Sequence, residues 1–401
     1  MFDPTLNQRE SVMEWPLWLA VFGLMLVGAA FIFSATGNQE LARHVAWYDV
    51  AAIRQLLAGI LGLAAVVAIS LIDYRRLARW ALVGYWISMV LLAGVFLFGV
   101  ARLGARRWID FGPIQFQPSE FAKLTFLFAL ASFLSRPADE LRSPGVFGRA
   151  LGMAVLPFVL ILKQPDLGSA LVFMPVAIVM MFVAGVPHSM IAKFLAGAGF
   201  LVALVLVDVL FAPPGWRFVK LEDYQRRRLL VYFNLDNTPR NATLEQVRAS
   251  RAQQAKDRYN VDQAMISVGS GGITGKGWRQ GTQSALGYLP RAVAHNDFIF
   301  SVIAEEKGFL GSLTVLGLYT VVFFTGIKIA SQARDRLGRI LAAGIVTLLF
   351  THVFVNIGMN IRLMPVTGIP LPLLSAGGTS VLCSLVAIGI LQNIHLYRRN
   401  Y

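Results

Sequence analysis

Apolar runs of membrane-crossing length, separated by short polar segments, dominate the pattern of this chain. They are read at Leu17–Ser34, Leu56–Ile72, Trp80–Val100, Phe121–Leu134, Phe147–Leu162, Leu167–Val186, Ile191–Phe211, Phe309–Ile327, Ile340–Gly358 and Leu373–Leu396. A helix needs about 20 apolar residues to cross a bilayer core, and these runs supply or nearly supply them. The run from Phe121 is short and is expected to start a turn earlier, at Pro118-Ser119. Proline is tolerated at the first helical position there, and serine suits a cap. The pattern predicts an all-α polytopic membrane protein, a single integral membrane domain over residues 1–401 with about ten transmembrane helices. A long polar stretch, about residues 212–297, forms a large extracytoplasmic loop between helices 7 and 8.

Composition agrees with that reading. Hydrophobic residues make up 56% of the chain and charged residues 14%, against roughly 25% charged in soluble domains. The formal net charge of +14 does not point to nucleic acid, because the basic residues sit in short clusters between apolar runs, where they orient helices against anionic lipid. Arg75, Arg76 and Arg79, then Arg136, Arg142 and Arg149, then Lys328, Arg334, Arg336 and Arg339, and finally Arg398 and Arg399 all fall on one side of ten spans. Both termini are therefore expected in the cytoplasm. Arg102, Arg106 and Arg107 fall on the outer side, against the rule, and either bind something anionic there or signal that two spans are miscounted. The first apolar run is longer than a signal h-region, lacks a clear cleavage site and reads as a retained span. Cys383 is the one cysteine, so no intrachain disulfide forms and it reads as a packing residue.

Ionisable groups near the bilayer cost about 2.5–3.5 kcal/mol each at its centre, so those present need a partner or a task. Glu120 and Lys123 share a helix face at i, i+3 and read either as a self-satisfied ion pair or as substrate contacts. Lys163-Gln164-Pro165-Asp166-Leu167-Gly168 reads either as a solvated outer turn or as part of a site. Asp297 stands where the long loop meets the membrane. It is either a helix cap or, with its proton affinity raised at a low-dielectric boundary, a general base for a hydroxyl. Glu305, two turns further on, is a candidate for holding the local hydrogen-bond network, and Glu306 for pairing with a basic loop residue. The glycine-rich run Gly269 to Gly277 is not a P-loop, since Ser270 replaces the first glycine and Gly277 the magnesium-binding hydroxyl residue. A tight, flexible loop near a substrate is the expectation. Five scattered histidines and one cysteine support no zinc site, and no G-x-S-x-G elbow supports a serine triad.

Ordered blocks over nearly the whole chain resemble the SEDS family (shape, elongation, division and sporulation), and within it the RodA branch. They are Arg107-Trp108-Ile109, Gln117-Pro118-Ser119-Glu120-Phe121-Ala122-Lys123, Gln164-Pro165-Asp166-Leu167-Gly168-Ser169-Ala170, Gly269-Ser270-Gly271-Gly272, Gly275-Lys276-Gly277-Trp278, Gly281-Thr282-Gln283-Ser284, Leu289-Pro290, Asp297-Phe298-Ile299-Phe300, Gly368 to Ser375 and Gly377-Gly378. The chain departs from the family pattern between Pro290 and Asp297, which hold extra residues, and at Ala376, where a tyrosine is common. The resemblance implies a peptidoglycan glycosyltransferase of the bacterial cytoplasmic (inner) membrane. Such an enzyme polymerises lipid II for cell-wall synthesis and cell shape, working with a class B penicillin-binding protein. A lipid II flippase and a non-catalytic scaffold for that partner are the rival readings.

By position, the resemblance makes Asp297 the catalytic aspartate, Glu120 and Lys123 a polar pair lining a central cavity, and Asp166 another important acidic position. Arg102, Arg106, Arg107, Lys123, Lys276, Gln283 and Ser284 complete the expected substrate-binding set, with Glu305 and Glu306 in support. The reaction needs a base for the attacking sugar hydroxyl and cations for the departing polyprenyl pyrophosphate, inverting at the anomeric carbon. No protein metal site is expected, and a divalent cation, Mg or Mn, is a candidate helper.

Overall fold

The structure is a computed structural model. It describes residues 13–42, 50–102, 105–110, 115–211, 223–233, 235, 244–289 and 294–398. In chain order the elements are α1 (Trp15–Ala42), α2 (Ala51–Ser70), α3 (Tyr74–Arg79), α4 (Ala81–Phe98), β1 (Val100–Arg102), β2 (Ala105–Asp110), β3 (Gln115–Phe116) and α5 (Pro118–Leu134). They continue with α6 (Ala138–Leu141), α7 (Pro144–Leu162), α8 (Leu167–Leu171), α9 (Phe173–Ala184), α10 (His188–Phe211), α11 (Asp223–Tyr232), α12 (Leu244–Ser270) and α13 (Thr282–Ala285). The last three helices are α14 (Ile299–Gln332), α15 (Arg336–Asn360) and α16 (Gly378–Tyr397).

Among the described residues nine helical stretches are long and apolar enough to cross a membrane. The tenth expected span, α5, is 17 residues long with proline at its start, as Pro118-Ser119 led one to expect. It packs against α4, α7, α9, α15 and α16. A helix enclosed by neighbours can carry polar residues that lipid would not tolerate, and Ser119, Glu120 and Lys123 are all buried on it. Between α4 and α5 the connection forms a small antiparallel ribbon, β1-β2-β3, with Val100 opposite Trp108 and Ile109 opposite Phe116. No strand had been expected there. Cys383 is buried on α16 and free, in keeping with a packing role.

Two spans differ from their apolar runs for a physical reason. The run expected at Phe309–Ile327 is only the second half of α14, which is 34 residues long and breaks at Gly308 (φ 63°, ψ −157°). The glycine-rich run packs into that break. Phe309 N donates to Gly272 O (2.8 Å), Leu310 N to Ile273 O (3.1 Å), Lys276 N to Glu305 O (3.0 Å) and Gly277 N to Glu306 O (3.0 Å). A Cβ at Gly275 would stand 2.2 Å from Glu306 O, and one at Gly308 2.4 Å from Gly275 N. Only glycine allows the two backbones so close. The expected flexible loop is thus a fixed splice.

The run expected from Leu373 is helical only from Gly378. Residues 361–377 join α15 to α16 without regular structure, yet Ile369, Leu371, Leu373 and Leu374 are buried. Irregular backbone at such a depth must be satisfied by protein. Here Tyr319 Oη donates to Pro372 O (2.5 Å), Gln55 Nε2 to Ser375 O (3.0 Å), Gly377 N to Gln55 Oε1 (3.2 Å) and Leu371 N to Ser375 Oγ (2.7 Å).

Candidate active site

Asp297 lies in the turn that leads into α14, beside the irregular segment 361–377. Three side chains clamp this turn by its main chain. Asn356 Nδ2 donates to Asp297 O (3.0 Å), Asn360 Nδ2 to the same oxygen (3.1 Å), and Ser375 Oγ to Asn296 O (2.5 Å). Ala376 N adds a bond to His295 O (3.0 Å). The carboxylate itself makes no hydrogen bond among the described residues and does not cap α14, whose N-cap is Phe298 without a side-chain bond. It faces Gly368, at which a Cβ would stand 3.6 Å from Asp297 Oδ2.

Electrostatics set its proton affinity. Asp297 is only partly exposed and is surrounded by protein. Burial pushes its carboxyl up from 3.8 to about 6, against the pull of Arg228 and then Arg107, and with a smaller push from Asp166. Arg228 is held nearby, its Nη1 donating to Val366 O (3.0 Å), in the same irregular segment as Gly368.

Asp166 is not a solvated turn residue. It is 2% exposed. Its Oδ1 accepts from Ser169 N (3.1 Å), capping α8, and pairs with Arg107 Nη1 (3.7 Å); its Oδ2 accepts from Gln117 Nε2 (3.4 Å). Gln164 is buried too, donating to Leu92 O (2.7 Å). Arg107 also donates from Nη2 to Pro165 O, while its buried Nε has no partner among the described residues. Arg107 is thus partly committed inside the protein and partly open to an anion. The side chains of Arg102, Arg106 and Ser284 lie outside the described residues.

Two other predicted groups form separate clusters. Lys123 Nζ contacts Glu120 Oε1 (2.7 Å) and His352 Nε2 (3.0 Å), all three buried. The pair is therefore satisfied internally, and the histidine that completes it was not anticipated from its position in the sequence. Glu305 is 0% exposed, and its Oε1 accepts from Lys276 Nζ (2.6 Å), Thr282 Oγ1 (3.0 Å) and Gln283 N (3.0 Å). Through the Lys276 ammonium and the Gln283 main-chain N–H, these bonds anchor the glycine-rich loop to α14. Glu305 holds the local network as expected. Glu306 accepts from Ser34 Oγ (2.6 Å) and from the main-chain N of Arg279 (2.9 Å), a residue of the loop.

Sequence reasoning also missed Asn356, Asn360, Ser375 and Gly368. The spacing of His352, Asn356 and Asn360 on α15 was the available signal, since residues four apart share a helix face. Among the described residues no group of three or more His, Cys, Asp or Glu could hold a metal ion. Among those residues the donor set offers a divalent cation no protein cage of its own.

The fold and this site define a multi-pass membrane protein with a carboxylate, near two arginines, that makes no hydrogen bond among the described residues. Comparison with known proteins then gives its family. The chain belongs to the FtsW/RodA/SpoVE cell cycle protein family, which matches residues 14–400. It is 35% identical to the peptidoglycan glycosyltransferase MrdB of Escherichia coli (strain K12) over 384 residues, 95% of this chain and 93% of that one. It is 31% identical to the peptidoglycan glycosyltransferase RodA of Treponema pallidum (strain Nichols) over 437 residues, 96% and 98% of the two chains. A chain from a structure of a peptidoglycan synthase complex that coordinates polymerization and crosslinking superposes with a TM-score of 0.76 at 28% identity, covering 97% of this chain and 99% of that one.

Proposed function

We propose that Asp297 is the general base of a glycosyl transfer that joins lipid II units into peptidoglycan strands. The chain is a peptidoglycan glycosyltransferase, as are relatives 31–35% identical over nearly all of it. In the step assigned to Asp297, a sugar 4-hydroxyl of one lipid II attacks the anomeric carbon of another. The O–H proton passes to Asp297 as the new C–O bond forms. The old anomeric C–O bond breaks with inversion, and its electron pair leaves on polyprenyl pyrophosphate. A base must come within about 2.6–3.2 Å of that hydroxyl, and a proton affinity near neutrality suits it to take and release the proton.

The observation that carries this reading is the contrast at Asp297 itself. Its main-chain oxygen is held by Asn356 and Asn360, while its carboxylate makes no hydrogen bond among the described residues and is raised to about 6. Arg107 and Arg228, both within electrostatic reach, are the cations assigned to the leaving pyrophosphate. Lys123 is not assigned that role, because Glu120 and His352 already engage it. No step is routed through a metal ion. The enzyme sits in the bacterial cytoplasmic membrane with both termini inside and Asp297 at the outer boundary. A class B penicillin-binding protein is its partner, crosslinking the strands made.

The test is polymerisation of purified lipid II by the full-length chain with its partner. Long strands are expected from the native protein and none from Asp297→Asn. Normal polymer from the Asn variant would overturn the assignment of the base. Lipid translocation in vesicles with no polymer would overturn the glycosyltransferase reading in favour of a flippase.

A further inference from the structure

We infer that Asn356 and Asn360 are positioning residues for the transfer, fixing the Asp297 carboxylate against the segment that carries Gly368 and anchors Arg228. The inference rests on Asp297 being the base. Both asparagines are fully buried in a membrane helix, where an amide is costly unless each of its groups is bonded. Every bond they make converges on one place. Asn356 spends its two N–H groups on Asp297 O (3.0 Å) and Ile369 O (2.7 Å). Asn360 donates to Asp297 O (3.1 Å) and to Asn356 O (2.8 Å), and its Oδ1 accepts from Ser301 Oγ (2.5 Å) on α14.

The Asn356 bridge has a geometric consequence. It ties the turn holding Asp297 to residue 369. Its neighbour Gly368 faces the carboxylate, and Val366, three residues earlier, accepts from Arg228 Nη1. One side chain therefore sets the width of the space in front of the base and the place of a cation opposite it. Gly368 itself has φ +74°, a conformation in which only glycine is unstrained, so the segment does not hold that shape by propensity alone.

A role confined to satisfying buried carbonyls would alter stability only. A positioning role also alters the chemical step. Misplacement of a reacting group by about 1 Å costs on the order of 10²-fold in rate. In Asn356→Ala, kcat is expected to fall about 10–100-fold with KM changed less than about threefold. Water admitted to the gap should also move the acid limb of the kcat–pH profile downward from about 6. Asn360→Ala leaves the Asn356 bridge in place and should show a smaller fall in the same direction. It also carries the test should Asn356→Ala not yield folded protein.

The measurements use the full-length chain with its partner and lipid II, each variant first checked for an unaltered cooperative unfolding transition. Folded Asn356→Ala or Asn360→Ala protein with native kcat and an unmoved acid limb overturns the inference. Asp297→Asn is assayed alongside. Should it polymerise normally, the assignment of the base has failed, whereas an inactive Asp297→Asn beside native-like asparagine variants means that only the positioning role has.

Discussion

Asp297 and Glu305 are two carboxylates at the start of one helix, about two turns apart, and the protein treats them in opposite ways. Glu305 is fully buried and its Oε1 takes an ammonium, a hydroxyl and a main-chain N–H. Asp297 is partly exposed, its main chain is clamped, and its carboxylate has no hydrogen bond among the described residues. The difference teaches which acid can react. Glu305 Oε1 is taken up by three donors that tie the fold together, whereas the Asp297 carboxylate, held by its backbone, is left to meet a substrate hydroxyl.

Exchange of Asp297 should break the comparison most sharply. Asp297→Asn is expected to lower polymerisation by about 10²–10⁴-fold, the usual span for loss of a general base, with the fold intact by thermal unfolding. At Glu305 the expected loss is of stability. Lys276→Met leaves a buried carboxylate without its cation and should cost about 3 kcal/mol, read as a lower unfolding temperature. A native unfolding temperature would mean that the Lys276–Glu305 pair contributes nothing to holding the loop.

The same contrast has a pH signature in stability. The Asp297 carboxyl rises from 3.8 to about 6 on folding, so the folded state binds its proton more tightly. That contribution is fully present below about pH 4 and is lost as pH rises through about 6. Asp297→Asn should therefore raise the unfolding temperature at pH 7.5, by the equivalent of up to about 3 kcal/mol, and leave it nearly unchanged at pH 4. An equal effect at both pH values would deny the burial penalty. The smallest effect concerns rate. Turnover should fall about tenfold per pH unit below about 6, as the base becomes protonated, and Lys276→Met should keep that midpoint.

Much of the site was legible one residue at a time. Asp297 drew notice because an acid beside Phe298-Ile299-Phe300 sits at a water–lipid boundary, and Glu120 with Lys123 because their spacing puts them on one helix face. Assigning partners from local sequence was less successful. Lys276 and Gln283 stand in a loop that reads as flexible, yet the break at Gly308, far along the chain, receives that loop, and the Lys276 ammonium and the Gln283 main-chain N–H both bond Glu305. Asp166 reads either as a solvated turn residue or as part of a site until Arg107 and Gln117 close over it.

The sequence by itself determined the membrane architecture, because apolar length and the placement of arginines act locally and need no partner to be read. It also supplied the acidic residues, since a charge near lipid is conspicuous wherever it stands. Which of those charges is free to react was decided only by tertiary structure. That choice depends on donors such as Asn356, Asn360 and Lys276, brought from other segments to each carboxylate or its backbone, and helical spacing can show that such donors share a face but not which distant carboxylate they reach.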